Sequence, residues 1–170
     1  RKIDEALNIQ NKSIELSLLL SIPACFGLII ASEEITNALF GYGSFSQADV
    51  NLTAIALKYF GYGVPGFALI KVLSNFFFAR DNTKLPFYIS IFSVSLNVLI
   101  SLFFFQRVGF VIIPLATSIA TWAAVLVYVI LLVKFKYFKV KKSLVFSFIK
   151  ITVSALIMVI ALYLSINFFE

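Results

Sequence analysis

Five long runs of apolar residues occupy most of the chain, and they constrain its fold more than any other feature. They lie at about 14–32, 52–79, 85–105, 110–133 and 146–169. A helix needs roughly 20 apolar residues to cross the hydrocarbon core of a bilayer. A chain that is 61% hydrophobic and 13% charged has too much apolar surface to cover in water. The sequence therefore predicts an all-α, polytopic integral membrane helix bundle of about five transmembrane helices, with no division into separate domains.

Scarce residue types exclude several kinds of chemistry. The sequence has no His and a single Cys, Cys25. An internal disulfide, a His/Cys metal site and a His-dependent catalytic set are therefore excluded within it. We expect no enzyme, no metal and no other cofactor. The net charge of +6 is no sign of nucleic-acid binding here, because the basic residues cluster between apolar runs, as membrane topology signals do.

Basic residues are distributed unequally between the two predicted sides of the membrane. The segments 1–12, 79–84 and 134–143 would share one side and carry most of the Lys and Arg, whereas the other side carries only Arg107. The positive-inside rule then places the N-terminus in the cytoplasm and the C-terminus outside. The third segment is either a topology determinant alone or also binds anionic lipid head groups, at about 1 kcal/mol per Lys. Its lysines are Lys134, Lys136, Lys139, Lys141 and Lys142.

Lys71 is the sharpest functional signal. It precedes Arg80, at the expected cytoplasmic end, by a stretch that corresponds to about 13 Å of helix, which puts it near the bilayer midplane. A lone Lys at that depth costs about 2.5–3.5 kcal/mol. It therefore either lines a polar cavity on a transport path or pairs with a carboxylate on another helix. Asn75, four residues on, shares its helix face.

Two weaker candidates for a substrate path are Lys58 and Asn97. Lys58 lies about two turns into its helix, where a long side chain can also extend to the membrane interface. Asn97 belongs to a polar stripe that either packs helices together or faces an aqueous cavity. The stripe consists of Ser90, Ser93, Asn97 and Ser101.

Glycines and a proline interrupt the second apolar run. A straight helix over residues 47–79 would be about 50 Å long, which is more than is needed to cross a bilayer. We expect a bend there, which is either a hinge beside a binding site or an ordinary feature of membrane helices. The hinge candidates are Gly61, Gly63, Pro65 and Gly66. A capping box at 46–49 opens the helix, and 106–109 is predicted to be a tight turn.

Three segments resemble a known family. The stretch LFGYGSFSQAD (39–49), the pair VPGFALIKVL (64–73) and FFARDNTKLP (77–86), and SLNV (95–98) are similar to motifs of the MurJ/MviN lipid II flippases. Their order, spacing and charges match through about residue 136. The stretch 77–86 also supplies a cytoplasmic loop motif, which consists of Arg80, Asp81, Thr83, Lys84 and Pro86. The chain departs from the family's pattern at Phe78, Asp81-Asn82 and Leu85.

The resemblance implies a fold and a function. The chain, which starts at Arg1 without a visible signal peptide, would be a fragment of a longer protein: part of the C-terminal lobe of a MATE-like flippase. The whole protein would move lipid II, the undecaprenyl-pyrophosphate-linked peptidoglycan precursor, across the bacterial inner membrane by alternating access. A sister exporter of other polyprenyl-linked saccharides or drugs, and a non-transporting membrane scaffold, remain open alternatives.

Overall fold

Helices make up nearly the whole molecule. The computed structural model describes residues 2–169, which form seven α-helices and one 3-10 turn, without strands in that range. The elements are α1 (Lys2–Ile30), α2 (Ser32–Phe40), α3 (Gln47–Gly61), α4 (Val64–Phe78), α5 (Lys84–Val108), the 3-10 turn (Gly109–Val111), α6 (Ile112–Lys134) and α7 (Lys142–Phe169). The predicted all-α class is confirmed.

The apolar runs form membrane-length helices. Four largely helical stretches are long and apolar enough to cross a membrane: Glu5–Ile30, Gln47–Phe78, Lys84–Lys134 and Lys142–Ile166. The third stretch is an antiparallel hairpin of α5 and α6, because the Asn97 amide donates to the Thr117 hydroxyl at 2.8 Å while Ser93 donates to the Ala120 carbonyl at 3.2 Å. The chain reverses at Gly109, whose φ is +74°. Counting both arms of the hairpin gives the five membrane-length segments that the sequence predicts.

The core lies where α1, α4, α6 and α7 meet. Phe77 of α4 and Leu132 of α6 are fully buried (0% exposed), and Tyr128 is 2% exposed. By contrast, outward apolar side chains such as Leu20 and Phe103 are each 76% exposed. Such a surface is costly in water but suits a hydrocarbon solvent, where the packing of side chains, rather than hydrophobic transfer, holds helices together.

Three helix boundaries differ from the sequence-based expectation. α1 begins at Lys2 rather than near residue 14, because its polar first turns pack against the loop that follows α6, where Asn11 is buried. α7 begins at Lys142 rather than near residue 146. The tight turn predicted at 106–109 is wrong: 106–108 remain helical and the chain turns only from Gly109. Polar residues can continue a helix wherever tertiary contacts satisfy them.

The second apolar run is broken, as expected, into α3 and α4 of 15 residues each. The predicted capping box is present: Ser46 accepts from the Asp49 amide, and the Asp49 carboxylate accepts from the Ser46 amide. The segment before it, expected as a connection, contains the additional helix α2, which packs against α3.

Candidate functional site

One face of α4 is packed and the other is open. Leu73 and Phe77 face the core, whereas Lys71 and Asn75 are exposed on the opposite side, one turn apart. Among residues 5–166 and 168, whose side chains the structure describes, none forms a hydrogen bond or ion pair with the Lys71 ammonium. Carboxylate pairing therefore does not occupy Lys71 in the part of the protein that is described, and the pathway role remains a prediction.

A groove with both polar and apolar lining residues runs beside this open face, between α1 and α4. Its volume is about 490 Å³. Four of its lining residues carry polar side chains: Gln10, Ser13, Asn75 and Arg80. It connects Asn75 to the end of the bundle that carries most of the lysines, so two of the predicted site residues share one groove.

Gln10 is a lining residue of this groove that the sequence did not reveal. It is 8% exposed, and its Oε1 is buried without a hydrogen-bond partner among the described residues. Exchanging the two ends of the amide would leave a buried nitrogen in the same position. No pattern in the sequence indicates Gln10, because it lies in a polar stretch that is predicted to lie outside the membrane.

Arg80 lies just beyond the end of α4, and its guanidinium donates hydrogen bonds to backbone carbonyls. Its Nη1 donates to the Phe76 carbonyl at 2.6 Å and its Nη2 donates to the Tyr137 carbonyl at 3.2 Å. Its Cζ lies 4.4 Å from the centre of the Tyr137 ring, in a cation–π contact. Arg80 therefore joins α4 to residues 134–142, the segment with five lysines, which we call the lysine strap.

Asn11 joins the same strap to α1. Its Nδ2 donates to the Lys139 carbonyl at 3.0 Å, and its Oδ1 accepts from the Lys141 amide at 3.1 Å. Asn11 is 5% exposed, and a further bond from its Nδ2 to the Leu7 carbonyl orients the amide. This residue was also missed by the sequence analysis, since its partners lie far along the chain.

The strap lysines point mostly away from the bundle. Lys141 is half-buried and its ammonium donates to Asn8 Oδ1. The other four are exposed: Lys134, Lys136, Lys139 and Lys142. They form a cationic surface at the same end of the bundle as the turn between α4 and α5.

The predicted loop motif forms this turn. Asp81 has a φ of +56°, and the amides of Asp81 and Asn82 donate to the carbonyls of Phe78 and Phe77, which is a Schellman helix end. The Asn82 side chain, rather than Thr83, accepts from the Leu85 amide at 3.3 Å. Pro86 is buried, whereas Thr83 and Lys84 are exposed. Asp81 thus has a backbone role that the motif alone does not indicate.

The hinge candidates are sites of close helix approach. A Cβ on Gly61 would lie 3.2 Å from the Leu28 side chain, and one on Gly66 would lie 2.7 Å from Thr121 Cγ2. On Gly63, a Cβ would meet the Ser118 hydroxyl at 2.7 Å. Pro65 is buried at the second position of α4. The break therefore lets α3 and α4 approach both α1 and α6.

Side chains of α6 satisfy carbonyls at this break. Ser118 donates to the Tyr59 carbonyl at 2.7 Å, and the Trp122 indole donates to the Tyr62 carbonyl at 2.9 Å. Non-helical backbone at membrane depth needs such partners, because lipid supplies none. The break is thus braced, and any hinge motion has to exchange these two bonds.

The weaker candidates lie apart from the Lys71 face. Asn97 lines a second groove of about 400 Å³, together with Ser93, Thr117 and Phe67. Lys58 is exposed on α3 and lines neither groove. The structure therefore brings Asn75 and Arg80 together in one groove, with Lys71 one turn from Asn75 on α4, whereas Lys58 and Asn97 lie on other surfaces.

Comparison with known proteins identifies relatives along the whole chain. A probable lipid II flippase MurJ of Rickettsia prowazekii (strain Madrid E) is 41% identical over 120 residues, which are 71% of this chain and 24% of that protein. A probable lipid II flippase MurJ of Rhizobium meliloti (strain 1021) is 33% identical over 165 residues, 97% of this chain and 31% of that protein. The chain thus spans a quarter to a third of the length of these curated relatives.

The fold and the family model agree with these relatives. A solved structure, "Lipid II flippase MurJ, inward closed conformation", matches with a TM-score of 0.83 and 29% identity, covering 95% of this chain and 33% of that chain. The model of the family described as "Lipid II flippase MurJ" matches residues 1–170. This chain therefore belongs to the lipid II flippase MurJ family.

Proposed function

We propose that this chain is part of a transporter, not an enzyme, that moves lipid II across the bacterial inner membrane by alternating access. The observation that carries the proposal is the family match along residues 1–170. Since the chain spans about a third of the matched flippase structure, the transport activity belongs to the longer protein.

The chemistry of the substrate supports a path along the open face of α4. A pyrophosphate head group cannot cross hydrocarbon unaided, so it needs a hydrated path with cationic groups. Lys71 offers a charge at membrane depth without a partner among the described residues, and Asn75 offers an amide one turn nearer the lysine-rich end. In this proposal Lys71 attracts the phosphates, and Asn75 lines the way to it. Lys58 and Asn97 are secondary candidates on other surfaces.

The lysine-rich end faces the cytoplasm in this proposal, with the N-terminus inside and the C-terminus outside. The unequal charge distribution supports this orientation. Exposed lysines of the strap would then contact anionic lipid head groups, and the loop motif would lie at the cytoplasmic surface. The braced break between α3 and α4 is proposed as the hinge that bends during transport.

Depletion of the full-length protein tests the transport function. A membrane-impermeant probe added outside the cell reports how much lipid II is exposed on the outer leaflet. We expect depletion to reduce this signal while total lipid II remains or rises, because synthesis continues on the inner leaflet. An unchanged distribution between the leaflets would overturn the proposal. Re-expression of the full-length protein is the control.

A further inference from the structure

The lysine strap is held inward by aromatic side chains. Phe138 is 7% exposed and its ring stacks on Phe76, with ring centres 6.0 Å apart. The Tyr137 ring meets Phe77 edge-on at 6.1 Å. These contacts fix the middle of the strap over the ends of α4 and α6, while four of its five lysines are exposed.

Asn11 holds the second half of the strap as a neighbouring strand would. Its amide donates to the carbonyl of Lys139 and accepts from the amide of Lys141, two residues on. This is the donor and acceptor pattern that one residue of a parallel β-ladder presents to its neighbouring strand. The two bonds therefore hold the backbone of residues 139–141 against α1.

Arg80 fixes the first half independently. Its bond to the Tyr137 carbonyl and its contact with the Tyr137 ring join the strap to α4. Two clamps on two different helices thus act on one short loop. A loop that only had to connect α6 to α7, or only had to carry positive charge, would need neither clamp.

We propose that Asn11 and Arg80 are positioning residues that make the lysine strap a preorganised site for the phosphate of an anionic lipid. This inference rests on the lipid-contact part of the proposed function. Ordering a free loop costs conformational entropy, and in this strap the order is already established when the chain folds. A held cationic surface binds a phosphate more tightly than a flexible loop of the same charge.

Substitutions that keep the net charge separate this inference from simple charge attraction. Asn11→Leu removes both strap bonds and keeps the branched shape and heavy-atom number of the side chain, and Arg80→Lys keeps the cation but loses the forked contacts. A flexible polybasic loop would be indifferent to both changes. Asn51→Leu is the matched control, since Asn51 is an exposed helical Asn on α3.

Trypsin cleavage of the full-length protein in detergent measures the order of the strap. Cleavage at the strap lysines requires local opening. We expect Asn11→Leu to speed it about tenfold, the equivalent of two lost hydrogen bonds, and Arg80→Lys to speed it less. Asn51→Leu should cleave as the wild type does. Wild-type rates in both clamp variants would overturn the inference.

Native mass spectrometry of the same proteins with added phosphatidylglycerol measures lipid retention, with phosphatidylcholine as the neutral probe. We expect Asn11→Leu and Arg80→Lys to lose phosphatidylglycerol about as far as Lys139→Gln/Lys142→Gln does. If the clamp variants retain phosphatidylglycerol as the wild type does while the lysine variant loses it, the positioning role of Asn11 and Arg80 is overturned. The lipid-contact proposal then still stands. Wild-type retention in the lysine variant would overturn the lipid-contact proposal as well, while the depletion experiment would still test transport separately.

Discussion

The two faces of α4 differ in what their residues do. The packed face places Gly66 and Phe77 against α6, and Phe77 has no exposed surface. The open face carries Lys71 and Asn75, whose side chains are exposed. The comparison separates residues that hold the bundle together from exposed residues that the proposed function assigns to the substrate path. Stability and transport should therefore respond to different substitutions on the same helix.

The largest effect on stability is expected from Phe77→Ala. The substitution removes ring contacts with Tyr128 and Tyr137, at 5.9 and 6.1 Å between centres, and leaves a cavity. We expect a loss of about 3 kcal/mol in the free energy of unfolding, from lost packing. Thermal unfolding of the full-length protein in detergent measures it. The neighbouring Phe78→Ala is the control, because Phe78 is 46% exposed; equal losses in the two variants would contradict the division into faces.

The open face gives the opposite expectation. Lys71→Ala should reduce transport about 10- to 100-fold, the equivalent of a lost hydrogen bond to a charged group, while the unfolding temperature changes little. Complementation of a depleted strain, at equal expression, measures transport. Lys71→Arg should retain part of the activity because the charge remains. Lys58→Ala is the matched control, and indistinguishable phenotypes for Lys71→Ala and Lys58→Ala would contradict the pathway role.

Gly66→Ala tests the packed face with a single methyl group. The new Cβ would lie 2.7 Å from Thr121 Cγ2, so α4 and α6 must separate or distort, at a cost of about 1–3 kcal/mol. Adding Thr121→Ser removes that methyl group but keeps the hydroxyl, and should restore most of the lost stability in the same unfolding assay. Gly27→Ala is the control, because a Cβ there meets nothing within 4 Å. If the double variant does not regain the lost stability, the contact with Thr121 Cγ2 is not the cause of the loss.

The apolar runs predict the membrane-length helices, although not α2, because bilayer thickness fixes the length of an apolar run. A local motif likewise predicts where α3 begins. The Ser46–Asp49 capping box involves residues three positions apart. The strap contacts could not be predicted in this way. Asn11 bonds to Lys139 across 128 residues, and a polar residue in a polar segment carries no pattern that indicates such a partner. Lys71 was recognisable because its charge conflicts with its apolar surroundings.

Asp81 belongs to neither face of α4, because it lies in the turn that ends α4 and directs the chain into α5. Its left-handed φ of +56° costs a non-glycine residue energy. Asp81→Gly should therefore raise the free energy of unfolding by about 0.5–1 kcal/mol, seen as a small rise in unfolding temperature. Thr83→Gly should give no rise, because Thr83 has a φ of −89° and gains nothing from glycine. A lower unfolding temperature for Asp81→Gly would mean that the Asp81 carboxylate contributes a contact worth more than the backbone strain.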